Sequence, residues 1–386
     1  MTPKTGPRPT RIIGLFPELL GIGGIQEASR LTAAAIVASA PEHNWSAEFF
    51  SLNDSPGPHT LGVAGQTIFF HGFGRAKIRF VLAGLRAAHS TRRKTTGVIL
   101  ATHPNLAVPA RWIGGNSSRF PTVVMSHGIE VWEPLPGFRK RALAKAELVL
   151  GPSSDTAKRL IDVQGIGKEK VRKLPWPISP AFLRLADVPT RVAVPTGFPA
   201  APVVLTVGRW VAAERYKGVD HLICAIAQMR AEIPNLNLVA IGSGDDLPRL
   251  RSLATEHGVA NRVHFFGNLS REQVAACYSQ ADVFALPSSG EGFGLVFLEA
   301  MAFSKPIIAA ASAGAIDVVE NDVSGLLVPP GDPEKLAHAL VRLLRDASLR
   351  KRLGQRGGEI VRSRYRFDIF QSELANVLEV VSIPKE

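Results

Sequence analysis

Pro287-Ser-Ser-Gly-Glu291-Gly-Phe-Gly294-Leu-Val-Phe-Leu-Glu299-Ala-Met301 follows the apolar run Val283–Leu286 and passes into a segment of helical period. A strand that stops at a proline, a loop rich in glycine and a helix opening near Gly294 make one strand–loop–helix step of a parallel α/β layer. Such a helix start exposes backbone amides and carries a partial positive charge, a ready seat for phosphate or sugar oxygens. Glu291 precedes the helix and Glu299 lies within it. At helical rise their spacing amounts to about 12 Å, beyond the roughly 5–9.5 Å of a glycosidase carboxylate pair. It suits two carboxylates that grip different hydroxyls of one extended ligand.

Outward from this unit the same alternation continues. Val203–Val207, Leu236–Ile241, Val263–Phe266, Pro306–Ala310 and Gly325–Val328 read as strands. Val219–Ala231, Leu247–His257, Ser270–Gln280 and Leu295–Ala302 read as helices, and Asp332 caps another with Pro333 at its first position. Arg362 to Val381 reads as a last helix. The first half repeats the scheme with strands Arg11–Phe16, Thr96–Thr102, Thr122–Ser126 and Leu148–Gly151, and helices Ile25–Ala40, Ala76–Ala88 and Ser154–Leu160. A chain of 386 residues exceeds one ordinary core. The expected architecture is α/β, two Rossmann-like domains facing a cleft. Residues 1–185 form the first and 186–365 the second, joined by a proline-rich linker between about Trp176 and Pro202. Residues 366–386 form a C-terminal helix that crosses back to the first domain.

Residues 1–190 carry 24 Lys+Arg against 12 Asp+Glu, whereas 191–386 carry 21 of each, so the net charge of +12 belongs to the first half. That asymmetry points to an anionic partner for one domain: nucleic acid, an anionic membrane surface or an acidic substrate. Cys224 and Cys277 sit in apolar helical patterns as small core residues, which fits a reducing, cytoplasmic setting and neither a disulfide framework nor a metal cluster. The stretch Ile12 to Ile25 is broken by Pro17 and Glu18 and reads as strand and loop rather than a signal peptide. No apolar run reaches the roughly 18 residues of a membrane-spanning helix.

Glu-x7-Glu with Gly-Phe-Gly after the first Glu resembles the signature of the family 4 retaining glycosyltransferases, of the bacterial polysaccharide or lipid-linked sugar type, which have the GT-B fold. The resemblance implies that Glu291 and the amides of Gly292, Phe293, Gly294 and Leu295 hold a donor sugar, and that Glu299 binds the ribose. Val207-Gly-Arg209-Trp210 and Tyr216-Lys217-Gly218-Val-Asp220 resemble the family's Gly-Arg and Lys-Gly motif, in which Arg209 and Lys217 neutralise the departing β-phosphate. The gap between these two cations is slightly longer than in the family. Asn268 and Leu269, after Arg262–Gly267, are placed by resemblance at the nucleobase.

In the first half, Gly21-Ile-Gly23-Gly24-Ile25 is not Gly-x-Gly-x-x-Gly, and no acidic residue ends a second strand for an adenosine ribose, which disfavours a dinucleotide enzyme. It resembles the family's Gly-Gly loop, with Gly23 and Gly24 letting the backbone approach the donor phosphates. His127, in Ser126-His-Gly-Ile-Glu130, is placed by resemblance against the donor sugar. His103, Asn105 and Glu130 are assigned to the acceptor. Ser312-Ala-Gly314-Ala-Ile-Asp317 departs from the family's Gly-Gly-x-Pro-Glu.

The resemblance implies sugar transfer, with retention, from a UDP- or GDP-linked donor to a hydroxyl of a glycan, lipid-linked or small-molecule acceptor. Arg209 and Lys217 stand where a metal would, so neither metal nor cofactor is expected. A basic, apolar stretch from Phe73 to Arg86, with Arg92, Arg93 and Lys94 after it and Arg139, Lys140, Arg141 and Lys145 beyond, suits peripheral attachment to the inner face of a cytoplasmic membrane. The competing classes are a GT-B sugar-nucleotide epimerase or phosphorylase, the latter without a pyridoxal lysine signature, and a nucleic-acid-binding module, for which no reader motif stands out.

Overall fold

A computed structural model describes residues 10–89, 96–115, 119–188, 192–200 and 202–383. The chain forms two compact units, Met1–Ser179 together with Phe367–Glu386, and Pro180–Arg366. Arg92, Arg93 and Lys94 lie outside the described residues.

The first unit runs β1 (Thr10–Phe16), α1 (Gly24–His43), β2 (Trp45–Ser51), β3 (Gly57–Val63), β4 (Gln66–Gly72), α2 (Lys77–His89), β5 (Gly97–Ala101), α3 (Ala107–Gly114), β6 (Thr122–Met125), α4 (Gly137–Ala144), β7 (Leu148–Gly151), α5 (Ser154–Asp162) and β8 (Val171–Lys173). Its sheet has the order β3-β4-β2-β1-β5-β6-β7-β8, parallel except for the β3–β4 hairpin. Ile12, Ile13, Leu15 and Phe16 of β1 are fully buried, as expected of a strand covered on both faces. The hairpin turns on Ala64 and Gly65, both at positive φ, which matches the right-handed twist of the flanking strands.

The second unit runs α6 (Pro180–Asp187), β9 (Val203–Val207), α7 (Val219–Gln228), β10 (Asn237–Ile241), α8 (Leu247–Glu256), β11 (Val263–Phe266), α9 (Arg271–Gln280), β12 (Val283–Leu286), α10 (Leu295–Ala302), β13 (Ile307–Ala310), α11 (Ala315–Val318), β14 (Gly325–Val328), α12 (Pro333–Arg345) and α13 (Ala347–Arg364). All six strands are parallel, in the order β11-β10-β9-β12-β13-β14, and the winding reverses between β9 and β12. Cys277 is buried in α9; Cys224 is half-buried, 3.6 Å from His257, and both thiols are free.

Strands β2, β3, β4 and β8 and helices α3 and α4 were not read from the sequence, and two further stretches are built otherwise than expected. The supposed linker begins as packed structure: Trp176 and Ile178 are buried, and α6 follows with Phe182 buried against Tyr278 and Phe303. The unit boundary accordingly falls before α6, after Ser179. The single helix read over Arg362–Val381 is two helices, α13 and α14 (Phe367–Ser382), broken at Tyr365 and Arg366. Three glycines hide α13 from a propensity reading. A Cβ on Gly354 would stand 1.9 Å from the Ser304 carbonyl, so the glycine is what lets α13 approach the end of α10. Helix α14 belongs to the first unit, where it packs on α1 with Phe370, Leu374, Val377 and Leu378 buried.

Candidate functional site

In open α/β sheets ligands bind beyond the carboxyl ends of the strands, where the winding reverses. In the second unit that point lies between β9 and β12, and the loops after β9, β10, β11, β12 and β13 are tied together there by backbone bonds. Gly242 donates to the Gly267 carbonyl at 2.8 Å, Trp210 to Ser243 at 2.9 Å, Ser289 to Tyr216 at 2.8 Å and Gly314 to Glu291 at 2.8 Å. Gly242, at φ +124, has no room for a side chain, because a Cβ would meet the Gly208 carbonyl at 1.8 Å. The Ser312–Asp317 segment, divergent as a motif, therefore acts as a backing for Glu291: a Cβ on Gly314 would strike the Gly292 carbonyl at 2.4 Å.

This framework gathers four charges. Arg209, just past β9, pairs with Glu214. Lys217, at the end of a 3-10 segment Ala212–Lys217, lies 3.7 Å from Glu214 Oε2 and 3.3 Å from Glu291 Oε1. The side chains of Lys217, Glu214 and Glu291 are only 13–15% exposed, whereas Arg209 is 66% exposed, so the lysine is enclosed and the arginine reaches outward. Beneath them Asp246 accepts three bonds from Arg249, at 2.6–3.0 Å, and one from Arg215, while Arg249 also meets Asp220 at 3.5 Å. That lower cluster braces the start of α8 against the 3-10 segment.

Glu299 stands apart from this quartet, on α10, where Tyr278 donates its hydroxyl to Oε2 at 3.1 Å. Tyr278 is fully buried among Phe182, Phe284 and Phe303, which fixes the carboxylate it holds. Gly294, at φ +92, opens α10, with Leu295 as its first residue. The ring of Phe293 is 2% exposed and packs edge-on to Tyr365, so Phe293 offers a ligand its backbone and not its side chain. Asn268 is exposed and accepts from Ser243 Oγ at 3.0 Å; Leu269 beside it is half-buried.

In the first unit, residues after β5 and β6 meet. The ring of His127 stacks on Trp176 at 5.2 Å, lies 5.8 Å from that of His103, and donates from Nε2 to the Thr102 carbonyl at 2.7 Å. Its backbone amide donates to Glu130. Burial lowers the pKa of His127, with Glu130 and the Thr102 bond opposing. A neutral ring that donates from Nε2 keeps Nδ1 as an acceptor. Burial likewise brings His103 down to about 4, opposed by Glu130 and reinforced by His127 and Arg139. Consistently, His103 Nδ1 accepts the Asn105 amide at 3.1 Å, and Asn105 Oδ1 accepts from Arg139 at 3.0 Å.

The Gly23–Gly24 turn after β1 lies apart from this cluster in the hydrogen-bond pattern. Gly23, at φ +147, caps α1; Arg30 holds the Leu19 and Gly21 carbonyls, and buried Asp54 accepts the Leu19 and Leu20 amides at 2.7 and 3.1 Å. Asp54 follows β2, where a dinucleotide enzyme keeps its ribose carboxylate, but here it is spent on shaping the loop. Sequence reasoning passed over Asp54, Glu214, Tyr278 and Trp176. Only Glu214, one turn before Lys217, carries a local signal; the others meet their partners across long stretches of chain.

A family model described as "Glycosyl transferases group 1" matches residues 196–359. The GDP-mannose-dependent alpha-(1-6)-phosphatidylinositol monomannoside mannosyltransferase of Mycobacterium tuberculosis is 37% identical over 169 residues, 42% of this chain and 44% of that enzyme. The chain thus spans less than half the length of that relative in the match. The enzyme of the same description from Mycolicibacterium smegmatis is 30% identical over 267 residues, 66% of this chain and 69% of its own. Among solved structures, sucrose-phosphate synthase from Thermosynechococcus elongatus superposes with a TM-score of 0.75 at 23% identity, over 97% of this chain and 99% of the other, a likeness of fold.

Proposed function

Because this chain belongs to the group 1 glycosyl transferases and has the two α/β units of the GT-B fold, we propose that it transfers a sugar, with retention, from a nucleoside-diphosphate sugar to a hydroxyl acceptor. The observation that carries this reading is the cluster of Arg209, Lys217 and Glu291 at the β9/β12 reversal, two cations and a carboxylate beside a glycine-rich helix start. Diphosphate needs charge-assisted bonds, and sugar hydroxyls need a carboxylate within reach of them. Of the two expected donor classes, GDP- and UDP-linked, the GDP-mannose dependence in the relatives' names supports the GDP-linked one.

In the proposed reaction the bond from the anomeric carbon to the β-phosphate oxygen breaks, and the acceptor oxygen bonds to the same face of that carbon. The acceptor's proton passes to the departing phosphate. Arg209 and Lys217 stabilise the charge that develops on it, without a metal. Glu291 and the amides from Gly292 to Leu295 orient the sugar, Glu299 takes the ribose, and Asn268 with Leu269 face the base. Gly23, Gly24 and His127 are proposed donor contacts of the first unit; His103, Asn105 and Glu130 are proposed acceptor contacts. The product belongs to polysaccharide or glycolipid synthesis, and the enzyme works in the cytoplasm at the inner membrane face. Exposed Ile78 and Leu82, flanked by exposed Arg75, Lys77, Arg79 and Arg86, support that attachment. No helix among the described residues is long and apolar enough to cross a membrane.

A thermal-shift screen of GDP- and UDP-sugars tests the donor. A ligand at a hundred times its Kd stabilises by about 2.7 kcal/mol, so one sugar nucleotide and its diphosphate should raise Tm together. No shift with any member rejects the reading. The anomeric configuration of the product, read by NMR, tests retention.

A further inference from the structure

Glu214 bridges the two cations of the donor cluster. Its Oε1 pairs with Arg209 and its Oε2 faces Lys217 Nζ at 3.7 Å, one oxygen to each. Two features separate it from a structural brace. Asp246, just beneath, is saturated by hydrogen bonds from Arg249 and Arg215. Glu214 Oε2 is buried and accepts no hydrogen bond within the protein, so on the lysine side it is held by charge alone. A carboxylate held that way gives up its cations readily to an anion that offers more oxygens in better geometry.

The balance of charge leads to the same place. Arg209 and Lys217 against Glu214 and Glu291 leave the cluster without net charge. Without Glu214 the two cations would face only one carboxylate and repel each other in a partly enclosed setting. With it they are held near each other, but a diphosphate gains both only if the carboxylate lets go.

We propose that Glu214 is a placeholder for the donor's diphosphate, a counter-ion that keeps Arg209 and Lys217 in position in the empty site and yields them to phosphate oxygens on binding. This rests on the nucleoside-diphosphate donor proposed above. Glu214 is a positioning residue: it acts through the two cations and touches no reacting atom. Its second effect is on release, because the same carboxylate competes with the diphosphate product for the cations.

Calorimetric titration of the full chain and of Glu214→Gln with UDP, GDP and the corresponding monophosphates tests it. Glutamine keeps the shape and an acceptor for Arg209 while removing the charge. The expected result is diphosphate binding tighter by roughly threefold to tenfold, the scale of a partly screened ion pair. The monophosphate should gain less, and the diphosphate's salt dependence should steepen. Unchanged or weakened diphosphate affinity overturns the placeholder. If the Gln variant melts below the assay temperature, Glu214→Ala takes its place with the same expectation. Equal diphosphate binding by both proteins sinks this inference alone; no binding of UDP or GDP by either sinks the donor reading with it.

Discussion

Lys217 Nζ lies 3.3 Å from Glu291 Oε1, and both side chains are almost withdrawn from solvent. The carboxylate proposed for the sugar and the cation proposed for the phosphate are therefore neighbours before any ligand arrives. Replacing Lys217 by Ala leaves Glu291 and Glu214 partly buried without it, which should cost about 1–3 kcal/mol of stability. Arg209, largely exposed, should cost less than about 1 kcal/mol when changed to Ala. Both variants should lower kcat by about a hundredfold or more with donor saturated, the scale of losing one stabilising group on a developing charge. Turnover and urea unfolding on the same preparations check the split, and normal kcat in the Arg209 variant would reduce it to a surface cation.

Glu299 and Glu291 should fail differently. Loss of a hydrogen bond to a charged group costs about 1.5–3 kcal/mol, or roughly 10- to 100-fold in affinity. Glu299→Ala should show that loss for the free nucleoside diphosphate. Glu291→Ala should not weaken the diphosphate, but should weaken the intact sugar nucleotide. Tyr278→Phe, which removes one hydrogen-bond donor to the Glu299 carboxylate while keeping the ring, should lose a few-fold for the diphosphate. Titration calorimetry with both ligands checks it; identical profiles for the two glutamate variants would contradict the assignment.

Stability should fall in mild acid through the histidine pair. His103 titrates near 4 in the folded chain against 6.5 for an ordinary histidine, and His127 is shifted in the same direction. Between those pH values the unfolded chain binds protons that the folded chain refuses, so unfolding becomes easier as pH drops from about 6.5 to about 4. Above 6.5 both states are neutral at these sites and the contribution is fully present. His103→Gln should flatten that part of the profile, at some cost in stability at pH 7 from the lost Asn105 contact. Denaturation midpoints at pH 7, 6, 5 and 4.5 decide it, and parallel slopes for variant and wild type would exclude His103 as the source.

Helix α2 should bring the protein to anionic vesicles. Ile78 is 77% exposed and Leu82 45%, while Phe80 of the same helix is buried, so only part of the apolar set read from the sequence is available to a bilayer. With about 1 kcal/mol per cation near an anionic surface, changing Arg75, Lys77 and Arg79 to Ser should weaken vesicle binding by about a hundredfold. Cosedimentation at low and high salt with phosphatidylserine vesicles measures it. Wild type remaining in the supernatant at low salt would point to a soluble acceptor.

Strands β1, β5, β6 and β7 of the first sheet and the strands of the second were legible because they read as short apolar runs, Ile12–Phe16 and Val203–Val207 among them, whereas β2, inside the first sheet but with Ser46 and Ala47 exposed, was not. Nor was the β3–β4 hairpin. In β3 exposed and half-exposed residues alternate, and Pro58 and Gly62 stand in an edge strand that a propensity reading rejects. Helix α13 was hidden for a similar reason, its glycines serving close packing. In the candidate site, Arg209, Lys217, Glu291 and Glu299 are singled out by the resemblance of their motifs to the family's. Glu214, Tyr278 and Trp176 are not, because what defines them is a partner brought near by the fold.

The first unit is built from two separated pieces of chain, with the whole second unit between them. A ribosome delivers residues in order, so the sheet of the first unit must wait for α14 while that of the second does not. Until Phe370, Leu374, Val377 and Leu378 emerge, the α1 face they cover stays wet, and each such side chain is worth about 1.5–3 kcal/mol once buried. The second unit, continuous from Pro180 to Arg366, can close during synthesis. Birth order and completion order are thus reversed: the half made first is finished last, and a nascent chain stalled before Phe367 would hold a settled second half beside an unfinished first one.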